Sequence, residues 1–438
     1  MGGIDLQPYC ARAGGVDPYL ACGKILEVVG LTMQACGPHM SVGDLCYVKR
    51  RRGGGDPIPV EVVGFRGDRV MLMPLGDMQG IRPGDVLEPT YQPRKVRVGP
   101  SLLGRVLGSL GTPIDGGLPP AWEAEYPMLA GPPAPLERKR IVEPIATGIR
   151  AVDACITCGK GQRVGVMSGS GIGKSKLIGM IARNTNADIN VIALVGERGR
   201  EVRDFIEVDL GEEGLERSVV VVATSDEPAL LRLSGAYTAT AIAEYFRGQG
   251  KDVMLIMDSI TRFAMAQREV GLAVGEPPTT KGYPPSVYAL LPKLLERAGN
   301  SGVGSITGFY AVLVEADDPN DPVGDMVRSI LDGHVSLSRD LASRGHYPAV
   351  DVLDSVSRSM IDVVPDKHRE LATRLRQVLS TYRAAEDLVN IGAYVAGSNP
   401  EIDTALRLMP KIQEFLRQGL FEASPFEEIE ARMAAALR

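Results

Sequence analysis

The chain has 438 residues, of which 44% are hydrophobic and 23% are charged. This length and composition predict a globular protein of two or three domains and exclude a fibrous or wholly disordered one. The 48 basic and 54 acidic residues give a net charge of −6, which offers no overall attraction to a polyanion. Nucleic acid is therefore not an expected partner.

Targeting signals and cysteine content predict the cellular compartment. The N-terminal segment lacks the apolar stretch of a secretory signal, and Leu6 stands where a myristoylation signal requires Ser or Thr. No apolar run approaches the roughly 18 residues needed to cross a bilayer. The 6 cysteines are too few for a disulfide scaffold in a chain of this length. We expect a cytoplasmic protein with at most peripheral membrane contact.

The first predicted domain, at residues 1–92, is a small β-barrel. Short apolar and β-branched runs such as GKILEVVGLTM, VEVVGFR and RVMLMPL follow one another closely from residue 22 to residue 90. The turn signals GD, RGD and PGD separate these runs. Closely spaced short strands with such turns are typical of a barrel.

The second predicted domain, at residues 93–362, begins with a proline-rich connection and continues as an α/β domain. The runs RVGVM, NVIALVG, SVVVVAT and DVMLIMD have the apolar character of buried strands, and helical stretches alternate with them. This alternation predicts a mostly parallel sheet. After about Pro365 the apolar spacing becomes helical, which predicts a helical C-terminal domain at residues 363–438.

The segment MSGSGIGKSKL follows a predicted strand and opens a predicted helix, which is the context of a phosphate-binding loop. Its glycines let backbone amides approach phosphate oxygens, Lys174 supplies a cation for the β and γ phosphates, and the Ser175 hydroxyl can ligate Mg²⁺. The usual pattern begins with Gly, whereas this chain has Ser168. The predicted nucleotide-binding residues of the loop are Ser168, Gly169, Ser170, Gly171, Ile172, Gly173, Lys174, Ser175 and Lys176.

Two carboxylates follow predicted strands of the same sheet. Asp258 ends the run KDVMLIMD and would emerge at the carboxyl edge of the sheet, where it could hold Mg²⁺. Glu197 ends NVIALVGE and could polarise an attacking water. By themselves these positions are ambiguous, because an Asp at a strand end is more often a helix cap. Glu197 is as readily explained as a surface charge paired with Arg198 or Arg200.

Longer segments make the chain similar to a known family. The runs SGSGIGKS, VGERGREVRDFIEVDLGEEGLERSVVVVATSDEPALLRL, LIMDSITRFAMAQREVGLAVGEPPTTKGYPPSVYALLPKLLERAG and HYPAVDVLDSVSRSM resemble the ATPases that energise flagellar and type III protein export. These ATPases are related to the catalytic subunit of rotary ATP synthases. The similarity extends over nearly the whole chain. It implies a RecA-like P-loop ATPase core between a small N-terminal β-barrel and a helical C-terminal domain.

The resemblance also implies roles for single residues. Lys174 and Ser175 would bind phosphate and Mg²⁺, Glu197 would be the catalytic carboxylate, and Asp258 would be the acid on the metal side. Arg198 resembles the arginine that follows the catalytic glutamate. The implied substrate is ATP and the implied cofactor is Mg²⁺.

Two further residues and the partners are implied in the same way. Tyr347 resembles the aromatic residue that stacks on adenine, and Arg358 resembles an arginine finger donated to a neighbouring subunit. A homo-hexamer is therefore expected. The other implied partners are export-gate membrane proteins, a stator-like regulator, a stalk-like protein, export substrates and their chaperones. The implied location is the cytoplasm, at the inner face of the cell membrane.

Several sequence features bear on which branch of this family the chain resembles most. Ser168 replaces the small Gly or Ala usual at the start of the loop, and Lys176 stands where relatives often carry an apolar residue or Thr. The C-terminal region lacks the acidic DELSEED run of the synthase subunit, and NIGAYVAGSNPEID looks closer to the flagellar branch. The alternatives are an injection-apparatus ATPase or a rotary synthase or vacuolar-type subunit. An RNA motor resembling the Rho terminator is the least favoured, since such a motor would need an RNA-binding surface.

Other features are explained more simply as structural. Cys155 and Cys158 form a lone CxxC that we interpret as core packing, since zinc would need two further ligands. The 4 histidines have no metal-ligand spacing. The basic cluster at residues 49–52 is interpreted as a solvated hairpin tip, and the acidic run EADDPNDPVGD as a surface loop without the ligand order of a calcium site.

Overall fold

The computed structural model describes residues 21–51, 55–314 and 321–438. The basic cluster at residues 49–52 and the acidic run that starts at residue 315 therefore lie partly outside the described residues. The chain forms two compact units, one comprising Met1–Arg94 with Ala273–Gly275 and the other comprising Lys95–Leu272 with Glu276–Arg438.

The first unit is a closed antiparallel barrel, as the sequence predicts. In the described residues its strands are β1 (Gly23–Val29), β2 (Thr32–Cys36), β3 (Asp44–Lys49), β4 (Ile58–Arg66), β5 (Arg69–Pro74) and β6 (Val86–Pro93). They close in the order β1-β2-β5-β4-β3-β6. Alternate side chains face inward because the side-chain period of a strand is two, and Ile25, Met33 and Leu72 are fully buried inside.

The second unit is built on a large sheet. In the described part of the chain its strands are β7 (Lys95–Val98), β8 (Arg105–Gly108), β9 (Ala124–Pro127), β10 (Pro144–Ile145), β11 (Cys158–Gly159), β12 (Arg163–Ser168), β13 (Ile189–Glu197), β14 (Ser218–Thr224), β15 (Asp252–Asp258), β16 (Gly299–Asn300), β17 (Ser305–Leu313), β18 (Gly333–Leu337) and β19 (Val350–Ser357). The sheet order is β19-β18-β12-β17-β15-β13-β14-β8, with β16 paired to β17. Strands β7 and β9, and strands β10 and β11, form two small separate sheets.

The helices of the second unit cover this sheet and extend beyond it. Those described are α1 (Arg150–Cys155), α2 (Lys174–Asn184), α3 (Gly199–Asp204), α4 (Gly211–Glu216), α5 (Ala229–Gly248), α6 (Ile260–Val274), α7 (Pro285–Leu295), α8 (Pro322–Ile330), α9 (Arg339–Ser343), α10 (Met360–Val363), α11 (Asp366–Asn390), α12 (Pro400–Leu416) and α13 (Ile429–Ala436). A π-helical turn at Phe205–Leu210 joins α3 to α4. None of the helices in the described ranges has the length and apolar character to span a bilayer.

The sheet is mostly parallel, which confirms the predicted fold class. Strands β12, β13, β14, β15 and β17 pair in parallel, and β19 is antiparallel to β18. The carboxyl ends of parallel strands share one edge, so the chain that follows β12, β13 and β15 lies along that edge. Strand β8, which comes from the proline-rich connection, extends the sheet at its far side against β14.

The C-terminal helices share a hydrophobic core with the nucleotide-binding part of the chain. Leu375 of α11 and Leu408 of α12 belong to the same buried cluster as Val152 of α1. Cys155 and Cys158 are buried and unbridged in this region, and burial raises the pKa of the Cys155 thiol to about 12. Thiols held protonated in this way are poor nucleophiles and metal ligands.

Candidate functional site

The loop between β12 and α2 is shaped to surround an anion. Gly171 and Gly173 have φ values of 78° and 98°, in the left-handed region that glycine adopts without steric cost. The chain can therefore turn sharply before α2 begins at Lys174. The first amides of this helix lack partners within the helix, and they point towards the loop with the positive end of the helix dipole. This geometry suits a phosphate group.

Lys174 meets both predicted carboxylates. Its side-chain nitrogen forms an ion pair with Asp258 Oδ1 and lies 3.7 Å from Glu197 Oε1. Lys174 is 8% exposed and Asp258 is 3% exposed, so this cluster is largely removed from water. Electrostatic interactions in such a site are stronger than at the surface.

Glu197 is ionised less readily than an ordinary glutamate. Burial raises its pKa to about 7, with a further contribution from the negative charge of Asp258, whereas Lys174 acts in the opposite direction. A hydrogen bond with Glu201 also favours the protonated form of Glu197. A carboxyl group with a pKa near neutrality can accept or donate a proton under working conditions.

Lys174 and Glu197 face an open polar cavity of about 390 Å³, whereas Asp258 does not line it. Arg198 lines it with a largely exposed side chain that pairs with Glu201 at 3.0 Å. Arg262 also lines it, and the buried Nε of Arg262 has no hydrogen-bond partner among the described residues. Both arginines can therefore supply positive charge to a phosphate at this position. The remaining lining residues are Gly169, Ser170, Gly171, Gly173, Lys174, Ser175, Lys176, Glu197, Glu201 and Leu313.

A second cavity, of about 290 Å³, adjoins the loop on its other side and is mostly apolar. Tyr347 lines it and is 50% exposed, so one face of its ring is accessible. Gln418 and Leu420, from the segment after α12, form part of the opposite wall. The Gln418 N–H donates to the carbonyl oxygen of Tyr347 at 2.9 Å, which ties this segment to the tyrosine. An aromatic face and apolar walls suit a planar base.

Besides Asp258 and Tyr347, three of the predicted residues do not line the polar cavity. Ser168 ends β12 and is 2% exposed, with a hydroxyl that has no partner in the described structure. Ile172 is buried and lines the apolar cavity instead. Arg358 lies beyond the end of β19, where its backbone N–H donates to the carbonyl oxygen of Asp332, and its exposed side chain lines neither cavity.

The lining residues that the sequence analysis missed include two charged residues of the polar cavity, Glu201 and Arg262, and two residues of the apolar cavity, Gln418 and Leu420. Glu201 and Arg262 lie in the first turns of α3 and α6, the helices that follow the strands ending at Glu197 and Asp258. Their position just after the two predicted carboxylates was the sequence signal that could have found both. Gln418 and Leu420 come from a distant segment, so only the tertiary structure could reveal them.

Comparison with known proteins identifies the family. The ATP synthase alpha/beta family, nucleotide-binding domain, matches residues 148–357, and the beta-barrel domain of the same family matches residues 25–91. The T3SS EscN ATPase C-terminal domain matches residues 364–435. The flagellum-specific ATP synthase of Bacillus subtilis is 53% identical, over 96% of both chains. The chain therefore belongs to the flagellar and type III secretion ATPases.

Members of both branches are close relatives of this export ATPase. The flagellum-specific ATP synthase of Salmonella typhimurium is 49% identical over 93% of this chain and 91% of its own. The type 3 secretion system ATPase of Xanthomonas euvesicatoria is 50% identical over 92% of this chain and 91% of its own. The assembled ATPase EscN from enteropathogenic E. coli superposes with a TM-score of 0.90 and 44% identity, over 95% of this chain and 100% of that one.

Family membership confirms the activity predicted from the sequence. This export ATPase is an enzyme that hydrolyses ATP to drive protein export by a type III apparatus. A rotary synthase subunit and an RNA motor are not favoured, because the C-terminal region matches the type III domain.

Proposed function

We propose that this export ATPase hydrolyses Mg-ATP to energise export through a flagellar apparatus, rather than through an injection apparatus. The observation that carries the ATPase assignment is the buried cluster of Lys174, Asp258 and Glu197 beside the phosphate-binding loop. The flagellar assignment rests on the identity to flagellar relatives over almost the full length of both chains.

Lys174 and the loop amides would bind the β and γ phosphates, with Ser175 and Asp258 as ligands of Mg²⁺. Oxygen donors of this kind are those that Mg²⁺ prefers, and Mg²⁺ usually takes only one or two of them from the protein. When bound, Mg²⁺ neutralises negative charge on the phosphates.

Glu197 would orient the attacking water and accept its proton, since this carboxylate opens onto the polar cavity and has a pKa near 7. Arg198 and Arg262, on the walls of the same cavity, would stabilise charge on the phosphoryl group. Tyr347 would stack on adenine in the apolar cavity.

We further propose that the active form is a homo-hexamer in which Arg358 reaches the site of a neighbouring subunit. Two observations support this arrangement. The Arg358 side chain is exposed and lies away from the cavities of its own subunit. A similar protein, EscN, is known as an assembled ATPase and in complex with its central stalk EscO.

The remaining partners follow from the same family. We propose a stalk-like protein, a stator-like regulator, export-gate membrane proteins, and export substrates with their chaperones. The proposed location is the cytoplasm, at the inner face of the cell membrane, with peripheral contact only.

A chromosomal Lys174→Ala replacement in the organism of origin tests the proposal. Without the ammonium group the phosphates lose their main cation, so ATP turnover should be abolished. Cells should be non-motile, with flagellin and hook and rod proteins made but not released into the medium. Normal swimming and normal release would contradict the flagellar assignment. ATP turnover at the wild-type rate by the purified variant would contradict the assignment of the phosphate site.

A further inference from the structure

Lys176 lies where the two cavities of the nucleotide site meet. It is one of the two residues, with Gly173, that line both the polar cavity and the apolar cavity among the described residues. A nucleotide with its base in the apolar cavity and its terminal phosphates in the polar one would pass this junction with its ribose and its α-phosphate. The Lys176 side chain is 51% exposed, so its ammonium group is accessible to a ligand there.

A buried carboxylate fixes the position of this lysine. The Lys176 nitrogen donates to Asp209 Oδ1 at 2.6 Å, and the Asp209 side chain is only 4% exposed. Asp209 lies in the π-helical turn Phe205–Leu210, which packs against α2. The packing is so close that a Cβ atom at Gly179 would come within 2.8 Å of the Asp209 Cβ. Asp209 is therefore held firmly against the helix that carries Lys176.

The ammonium group retains capacity for a second ligand. A lysine has three N–H donors, and among the described contacts Lys176 uses one of them, on Asp209. An ion pair with a carboxylate does not prevent the other donors from binding a phosphate oxygen, and such charge-assisted bonds are strong. Lys176 also lies in the first turn of α2, where the helix dipole favours an anion.

We propose that Lys176 is a second cation of the nucleotide site, which binds the phosphate nearest the ribose while Asp209 acts as its positioning residue. This inference rests on the proposed function, because it takes ATP as the ligand. It adds the Lys176 side chain to the set formed by Lys174 and the loop amides. The alternative is that the pair only fastens α2 to the π-helical turn.

The first test compares four full-length variants by competition of ADP against a fluorescent ADP analogue, in the presence of Mg²⁺. Lys176→Met keeps the length of the side chain and removes its charge, so ADP affinity should fall about tenfold. Lys176→Arg keeps the charge and should stay within about threefold of the wild type. Asp209→Asn keeps the ammonium group but removes the carboxylate that positions it, so ADP affinity should fall by about three- to fivefold, less than in Lys176→Met.

The double variant Lys176→Met/Asp209→Asn separates ligand binding from fold stability. Lys176→Met alone leaves Asp209 buried without its partner, which destabilises the protein for a structural reason. The double variant removes both charges and should recover thermal stability while keeping the weak ADP affinity. Recovery of ADP affinity together with stability would overturn the proposal, as would unchanged affinity in Lys176→Met.

The second test identifies the phosphate. A sulfur in place of an oxygen weakens the hydrogen bond that this position accepts. The two diastereomers of ADPαS, competed separately, should include one that binds several-fold more weakly than ADP to the wild type and equally well to Lys176→Met. ADPβS should bind more weakly than ADP by the same factor in the wild type and in Lys176→Met. If the same diastereomer of ADPαS still binds more weakly than ADP to Lys176→Met, the assignment of Lys176 to the α-phosphate is wrong.

A Lys174→Ala control distinguishes failure of this inference from failure of the proposed function. If Lys174→Ala loses ADP binding and Lys176→Met does not, the nucleotide site stands and the role of Lys176 is wrong. If neither substitution affects ADP binding, the proposed nucleotide site itself is wrong.

Discussion

Three charged side chains, Lys174, Asp258 and Glu197, share one largely buried cluster, and their mutual charges decide what each can do. Lys174 pairs directly with Asp258 and is more distant from Glu197, at 3.7 Å. Glu197 is therefore the less fully compensated of the two carboxylates, and burial, together with the charge of Asp258, raises its pKa to about 7. Carboxyl groups whose environments differ in this way are suited to different roles.

The Glu197→Gln variant tests the role proposed for this residue. Glutamine keeps the size and the hydrogen-bonding oxygen but cannot accept a proton, so ATP should still bind while hydrolysis slows by about 10²- to 10⁴-fold. Binding is measured with a fluorescent nucleotide and hydrolysis by phosphate release. Glu207→Gln, an exposed residue in the nearby π-helical turn, serves as a matched control and should hydrolyse ATP normally. Equal losses of binding and hydrolysis in Glu197→Gln would mean that the residue is structural.

At the scale of elements, the segment after α12 completes the wall of the apolar cavity. Arg150 at the start of α1 donates to the carbonyl oxygens of Phe415 and Arg417 and forms an ion pair with Glu422. The Gln418 side chain accepts from the Arg150 N–H and donates to Gly148 and Glu422. These contacts attach the C-terminal segment to the start of the nucleotide-binding region, so the wall of the apolar cavity depends on both.

The Glu422→Gln variant measures the contribution of this attachment. Hydrogen bonds from Arg150 hold the pKa of Glu422 below its usual range, so the ion pair stabilises the fold above the unfolded pKa of about 4.3 and is lost as the pH falls through the folded pKa. Because Glu422 is partly exposed, we expect a loss of about 1 kcal/mol at pH 7.

Urea unfolding at several pH values provides the measurement. The difference in stability between Glu422→Gln and the wild type should shrink as the pH falls below about 4. Glu427→Gln, at an exposed position in the same segment, is the control and should be close to the wild type at every pH. A difference that does not change with pH would show that the charge of Glu422 is not what stabilises the segment.

At the scale of the whole molecule, the proposed hexamer would complete each nucleotide site with a residue from a neighbouring subunit. Arg358 is exposed and lines neither cavity of its own chain. A head-to-tail contact that closes into a ring brings such a residue to the next site. Hydrolysis would then depend on assembly, even though a single chain contains the complete phosphate loop.

The Arg358→Ala variant tests this dependence. Nucleotide binding should be retained, whereas specific activity should lose its rise with protein concentration and fall by about 10³-fold or more at high concentration. Activity is measured over a range of protein concentrations, with the oligomeric state followed by light scattering. An unchanged rise of activity with concentration would exclude Arg358 as a residue donated between subunits.

Local sequence patterns predicted much of the fold and the phosphate-binding loop of this protein. The strands β12, β13, β14 and β15 were predicted from continuous apolar runs of strand length. Such runs are typical of parallel strands whose two faces are both covered by helices. The phosphate loop was predicted because its glycines and Lys174 lie within one short segment of the chain, so the motif can be read without knowledge of tertiary contacts. The barrel was recognisable from short strands with close turns, and the family from motifs spread over nearly the whole chain.

Only the tertiary structure decided the features that join distant segments. It added β8, from the proline-rich connection, to the sheet, because a four-residue strand is defined by its partner β14 and not by its own pattern. It placed Glu197 beside Lys174, where the sequence alone left a surface ion pair as an equal alternative. It also brought Gln418 to Tyr347, and Asp209 to Lys176. Contacts of this kind depend on how elements pack, and no periodicity within one segment encodes them.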